Sequence, residues 1–191
     1  ADVGAVAGVT KGGVYFHFRT KEDLFFAVLD HWRAALRGAL PSPAAGLSGV
    51  DALAEAVARY LRFHFENPAA GRLLRVLAVE LHGRFTALLR EDAREAHRAL
   101  RARLRDAIAR GQSDGTLFAA DPALAAFLVA AAIHGVLDQW LTSPQDATAF
   151  CDPETLADAL VTPWATGAEP GERPSVADAV EEASHEFRPP F

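Results

Sequence analysis

Methionine is absent from this chain, and cysteine occurs once, as Cys151. A single thiol cannot close an internal disulfide, which excludes a cystine-stapled scaffold and fits a reducing, cytoplasmic setting. No signal peptide is expected from the opening residues. The longest apolar run, Ala123 to Ile133, falls short of the roughly 20 residues that a bilayer span needs, so no membrane partner is expected. No glycine-rich phosphate loop is present, serines are few, and Cys151 has no basic neighbour in sequence to activate it. No catalytic residue is assigned, no cofactor is expected, and the chain reads as a non-enzyme. The missing initiator methionine leads to the expectation that a further N-terminal piece precedes Ala1.

Lysine is scarce too, and its placement is informative. The only two, Lys11 and Lys21, fall close together near the start. With Arg19 they make the stretch from Thr10 to Lys21 basic and free of acids. The whole chain carries a net charge of −6, which argues against a protein that coats nucleic acid over its entire surface. Any nucleic-acid contact is therefore local and N-terminal.

What is abundant is apolar residue at helical spacing, half of the 191 residues in all. No strand pattern competes, so the expected fold class is all-α. Residues 2–7 predict a short helix that turns at Gly8. Thr10 is placed as the N-cap of a second, running through Phe18. Thr20 starts a third with a near capping box, TKED, and an apolar stripe of Leu24, Phe25, Val28, Leu29, Trp32 and Leu36. Further helices are expected over about 50–66, 69–82, 84–111, 121–142 and 153–162. Gly111 and Gly115 are placed at the exit of the helix over 84–111. A break is expected near Pro163, then a linker over 167–175 and a short helix over 175–187. The helix after Asp121-Pro122 is apolar almost all round and needs cover on two sides.

A helix-turn-helix needs a tight turn, a short recognition helix and apolar residues that hold the two helices together. Here Gly8 permits the turn, and Val9, Val14 and Phe18 are placed inward. Thr10, Lys11, Gly12, Gly13, Tyr15, His17 and Lys21 are the candidate DNA-binding residues. The glycines leave room for close approach, the lysines neutralise phosphates, and Tyr15 and His17 hydrogen-bond to them.

The string AGVTKGGVYFHFRTKEDL resembles the helix-turn-helix signature of the TetR family of bacterial transcriptional regulators. It matches through Ala7, Gly8, Val9, Thr10, Gly12, Val14, Tyr15, His17, Phe18, Thr20, Lys21 and Leu24, about one tenth of the chain. The resemblance implies a truncated DNA-binding domain with its connecting helix over 1–40, a helical ligand-binding and dimerisation domain over 48–166, and a tail over 167–191. It also implies a homodimer on a pseudo-palindromic double-stranded DNA operator and release of that operator when a small, moderately apolar effector binds. The helices near 121–142 and 153–162 are expected at the dimer interface, where Gly135 permits close approach. The alternative is a helical small-molecule binding protein or enzyme that uses the same cavity with a non-functional helix-turn-helix.

The effector site is expected among aromatic, aliphatic and histidine side chains of the larger domain: Trp32, Phe63, Phe65, Leu77, His82, Phe85, Leu89, His134 and Trp140. Phe127 is a further aromatic candidate. The histidines 64, 82, 97 and 134 offer no i,i+4 ligand pair beyond His134 with Asp138, so no metal site is assigned. The late arginines of the long helix, Arg101, Arg103, Arg105 and Arg110, read as a solvated face matched to the helix dipole.

Overall fold

The computed structural model describes residues 8, 10–42, 46–79, 84–118, 121–143 and 152–167, with side chains except for Lys11 and residues 74–79 and 84–94. These residues form α1 (Lys11–His17), α2 (Lys21–Ala39), α3 (Gly49–Glu66), α4 (Pro68–Val79), α5 (Arg84–Ser113), α6 (Pro122–Thr142) and α7 (Pro153–Val161), with a 3-10 turn over Thr162–Trp164. The fold is all-α: among the described residues the only extended pairing is a single bridge between Leu117 and Ala165. The helices expected over 2–7 and 175–187, and Cys151, lie outside the described residues.

Local chemistry sets most of the helix starts. The Thr10 hydroxyl accepts from the Gly13 N–H at 3.1 Å. Thr20 and Asp23 exchange side-chain-to-backbone bonds of 3.0 Å each, a complete capping box at the start of α2. Asp121 and Asp152 accept from the N–H groups of Ala123 and Thr155 at 2.8 Å, each just before a proline in the first helical turn. Such caps contribute about 1 kcal/mol each.

The core is built around α3, which packs against α5 and α7 and more lightly against α2, α4 and α6. Leu53, Val57 and Leu61 of α3, Leu104 of α5 and Ile133 of α6 are almost wholly buried. Each contributes about 1.5–3 kcal/mol by leaving water. The Arg62–Glu154 ion pair adds a polar tie between α3 and α7. By length and composition the whole of α6 is long and apolar enough to cross a membrane. Its uninterrupted apolar run understates this because the run stops at His134. One face of α6, Ala125, Ala126, Val129, Ala130, Ile133 and Leu137, is instead buried in the protein core, while Leu124, Phe127 and Leu128 are exposed.

At one end of the core, α3 and α5 touch backbone to backbone. A Cβ on Gly49 would stand 2.0 Å from the Gly111 nitrogen, and one on Gly111 would stand 2.5 Å from the Leu117 side chain. Gly111, expected at the exit of α5, therefore lies inside the helix and serves this crossing. Gly115 makes the turn, with φ at +78°. The chain leaving α5 also caps α3. Asp114 accepts the Gly49 N–H at 2.6 Å, and the Thr116 hydroxyl accepts the Val50 N–H at 3.2 Å. Thr116 donates its own hydroxyl to Asp114 at 2.6 Å. These bonds hold the Asp114 carboxyl below the usual carboxylate range.

The polar exceptions in the interior are histidines. His64 is 1% exposed, and its Nδ1 lies 2.9 Å from the Tyr60 carbonyl. His134 keeps a buried Nε2 without a partner among the described residues. Burial, then the nearby His97, His64 and Arg101, push the His134 imidazole down to about 4.

This packing can be tested at two points. Gly49→Ala gains at most about 1 kcal/mol of helix propensity. It also forces a backbone clash that costs more than the usual overpacking range of about 1–3 kcal/mol, so the thermal unfolding midpoint should fall clearly; an unchanged midpoint would contradict the crossing. For His134, the folded-state value lies below the unfolded one. The unfolded chain therefore takes up the extra proton between pH 6.5 and about 4, and stability present above that window is lost as the pH falls through it. In urea titrations His134→Gln should flatten this dependence, and an unaltered slope would remove His134 as its source.

Candidate functional site

At the N-terminal end, Gly8 sits at φ +67°, a conformation that glycine adopts without steric penalty, and the chain turns there into α1. Val14 and Phe18 are half-buried, whereas Gly12, Tyr15, Phe16 and His17 are exposed. The Phe18 N–H closes α1 on the Val14 carbonyl at 2.9 Å. Thr10 uses its hydroxyl oxygen as the cap, and the Gly13 N–H is taken by the same bond, so Thr10 retains only its hydroxyl hydrogen for an external acceptor. The Gly13 N–H is therefore spent within the helix cap. Lys21 is exposed in the first turn of α2, where free backbone N–H groups also favour an anion. Lys11 opens α1. Phe16, 85% exposed, stands on this surface as well. Sequence reasoning passed over it because the signature leaves its position free.

A second feature lies beside α2. A cavity of about 540 Å³ is walled by α2, α3, the start of α4 and the middle of α5. Its apolar lining includes Leu29, Trp32, Leu36, Leu40, Phe63 and Leu73. Trp32 and Phe63 meet edge to face, with ring centroids 6.3 Å apart. Tyr60 and His64 join the wall, their rings 4.4 Å apart. Burial raises the Tyr60 phenol above its ordinary range. It lowers His64, which the bond to the Tyr60 carbonyl partly offsets. His97 is lowered by burial and then by Arg101. The imidazoles are therefore neutral near pH 7, and this part of the wall offers hydrogen bonding without charge.

The cavity brings together only some of the residues expected at an effector site. Trp32 and Phe63 line it. Phe65 does not, because two residues along a helix is a rotation of about 200°; its ring packs on Trp140 instead, at 5.0 Å. His134 stands behind the wall, its ring tilted by 35° against that of His97 with centroids 4.6 Å apart. Phe127 is exposed on α6. Leu77, Phe85 and Leu89 lie in α4 and α5 with their side chains outside the description, and His82 lies outside the described residues. Arg103 departs from its expected place on a solvated face. It is half-buried in the cavity wall and donates to the Pro41 carbonyl. Tyr60 and Arg103 were not singled out as site residues in the sequence, and His64 and His97 were weighed only among the histidines without a metal-ligand pairing. Among the described residues no three His, Cys, Asp or Glu side chains are placed to hold a metal ion.

Residues 1–28 match the model of the bacterial regulatory proteins of the tetR family, and residues 46–143 match the tetracyclin repressor-like C-terminal domain. The HTH-type transcriptional regulator TtgR of Pseudomonas putida is 29% identical over 166 residues, covering 83% of this chain and 77% of TtgR. The probable HTH-type transcriptional regulator ArpR, also of Pseudomonas putida, is 28% identical over the same length, with the same shares covered. Among solved structures, the SmeT–triclosan complex superposes with a TM-score of 0.65 at 21% identity, covering 86% of this chain and 80% of that one. A tetR-family regulatory protein from Rhodococcus RHA1 gives 0.59 at 24% identity, covering 83% and 80%. The second domain match alone spans half of the sequence, and with the helix-turn-helix ahead of it this chain belongs to the TetR family of DNA-binding transcriptional regulators.

Proposed function

We propose that this protein is a ligand-responsive repressor, acting in the cytoplasm, that releases a pseudo-palindromic operator when a small, moderately apolar molecule enters the cavity beside α2. The observation that carries this reading is the span of α2 itself. Its first turn holds Lys21 next to the recognition helix, and further along it Leu29, Trp32, Leu36 and Leu40, just past its end, line the cavity. A ligand that changes the tilt of this wall changes the position of the DNA-contacting end.

The working unit is a two-fold dimer. Leu124, Phe127 and Leu128 leave an apolar stripe uncovered on α6, and Gly135 on the same helix has open space around it. In the DNA-bound state the two α1 helices sit about 34 Å apart, one turn of B-DNA. A full switch between states needs a ligand preference of about 5.5 kcal/mol. SmeT was solved with triclosan, and an occupant of comparable apolar character suits the Trp32–Phe63 wall.

Footprinting on the upstream region of the protein's own gene tests the proposal, and no protected pseudo-palindrome at moderate salt would sink it. Lys21→Ala and Lys11→Ala should each weaken operator binding and lower the salt slope by about 0.9 per lost phosphate contact; an unchanged slope rules out that contact. Phe127→Asp, placing a charge on the exposed stripe, should shift the protein from dimer to monomer in light scattering and abolish operator protection. A variant that remains dimeric would move the interface elsewhere.

A further inference from the structure

Among the described residues the charges around the cavity are unevenly matched. Its wall holds Asp30, Arg33, Arg37, Glu95 and Arg103. Asp30 and Arg33 pair with each other at 3.6 Å, which removes one charge of each sign. Arg37 and Arg103 remain, against one exposed carboxylate, Glu95. Among the described residues neither arginine has a carboxylate partner in an ion pair. The carboxylate near Arg103, Glu55, is already engaged by Arg59 through bonds of 2.9 and 2.6 Å. Arg103 spends one of its five donors on the Pro41 carbonyl. Burial, then repulsion from Arg59, lower its affinity for its own proton more than Glu55 restores it. A guanidinium in this state gains from an arriving anion.

The two arginines belong to the same end of the cavity. Arg37 is in the last turn of α2, and Pro41, which receives the Arg103 bond, follows four residues later. The α2 C-terminus contributes about half a negative charge there, less than two guanidiniums together. Trp32 lies five positions before Arg37 on the same helix, a rise of about 7.5 Å. The cavity thus has an aromatic section with neutral hydrogen-bonding groups and, about that far away, a cationic end.

We infer that the cavity selects an aromatic carboxylate, its rings against Trp32 and Phe63 and its carboxylate between Arg37 and Arg103. The inference rests on the cavity being the effector site proposed above, and it adds an anionic head group to the apolar molecule that the hydrophobic wall alone would favour. Arg37 and Arg103 are then the residues that determine specificity.

Biphenyl-4-acetate and biphenyl-4-acetamide test this, since they differ in charge and hardly in shape. Their binding to the whole protein, free of DNA, is followed by quenching of tryptophan fluorescence and by calorimetry at pH 7.5. The acid is expected to bind at least about tenfold more tightly, with the difference shrinking as salt is raised. In the double variant R37Q/R103Q the acid should fall to the affinity of the amide while the amide stays within about twofold, which doubles as a check that the cavity is still folded. The exposed Arg37 provides the same test alone: R37Q should reduce the preference by about threefold or more. Equal or tighter binding of the amide, binding of neither at millimolar concentration, or a preference that survives the substitutions overturns the inference. Operator protection without either compound is measured separately. A protected operator with no acid preference removes only the inference; an acid preference that leaves the operator occupied removes the repressor mechanism and not the site.

Discussion

The constraint on which this molecule depends is the continuity of α2. Its 19 residues make a rod about 28 Å long, and a helix bends sharply only where its hydrogen-bond ladder is broken. No proline interrupts it. One end is pinned by the Thr20–Asp23 capping box. Further along, Leu29 is buried and Trp32 meets Phe63 of α3. In the proposed mechanism a displacement at Trp32 would reach Lys21 as rigid-body motion rather than dissipate in a flexible linker. The cavity has mechanical leverage because it is built against this rod and not elsewhere in the bundle.

The remainder of the bundle is the fixed frame against which such a rod moves. Its centre is α3, held by α5 and α7, and its tightest point is the Gly49–Gly111 crossing. There the Asp114 and Thr116 side chains satisfy the first N–H groups of α3. The same loop is bonded to the end of the chain's core through the Phe118 N–H to the Trp164 carbonyl and the Thr166 N–H to the Thr116 carbonyl, at 3.1 and 2.9 Å. Three segments distant in sequence meet in one hydrogen-bonded knot. Close packing of this kind resists small deformations, so the softer contacts around the cavity are where a ligand's binding energy can act.

The caps were legible in the sequence because they are local. Thr10 and Thr20 each bind a backbone N–H within three residues, so a short window contains the whole interaction. The family signature at the start of the chain was legible for the same reason. The cavity was not, because Trp32, Phe63, His97 and Arg103 come from separate helices and periodicity says which face is apolar but not what that face meets. Phe65 and Trp140 looked like further wall residues and found each other instead. Arg103 looked solvated because nothing in its own helix reveals that Pro41 arrives beside it. Gly111 looked like a helix stop because the crossing that needs it is with Gly49, far back in the chain.

The position of Trp32 and Leu36 in both the cavity wall and α2 gives the proposed switch a consequence that runs in the opposite direction from induction. Free-energy coupling between two sites is reciprocal. Whatever affinity for DNA the ligand removes, DNA removes from the ligand by the same factor. Under the proposed repressor mechanism the operator would itself be an antagonist of the small molecule, and protein held on DNA would be less sensitive to that molecule than protein free in solution. The concentration at which the switch responds is a property of the occupied operator together with the cavity, and operators of different strength would read one ligand at different thresholds.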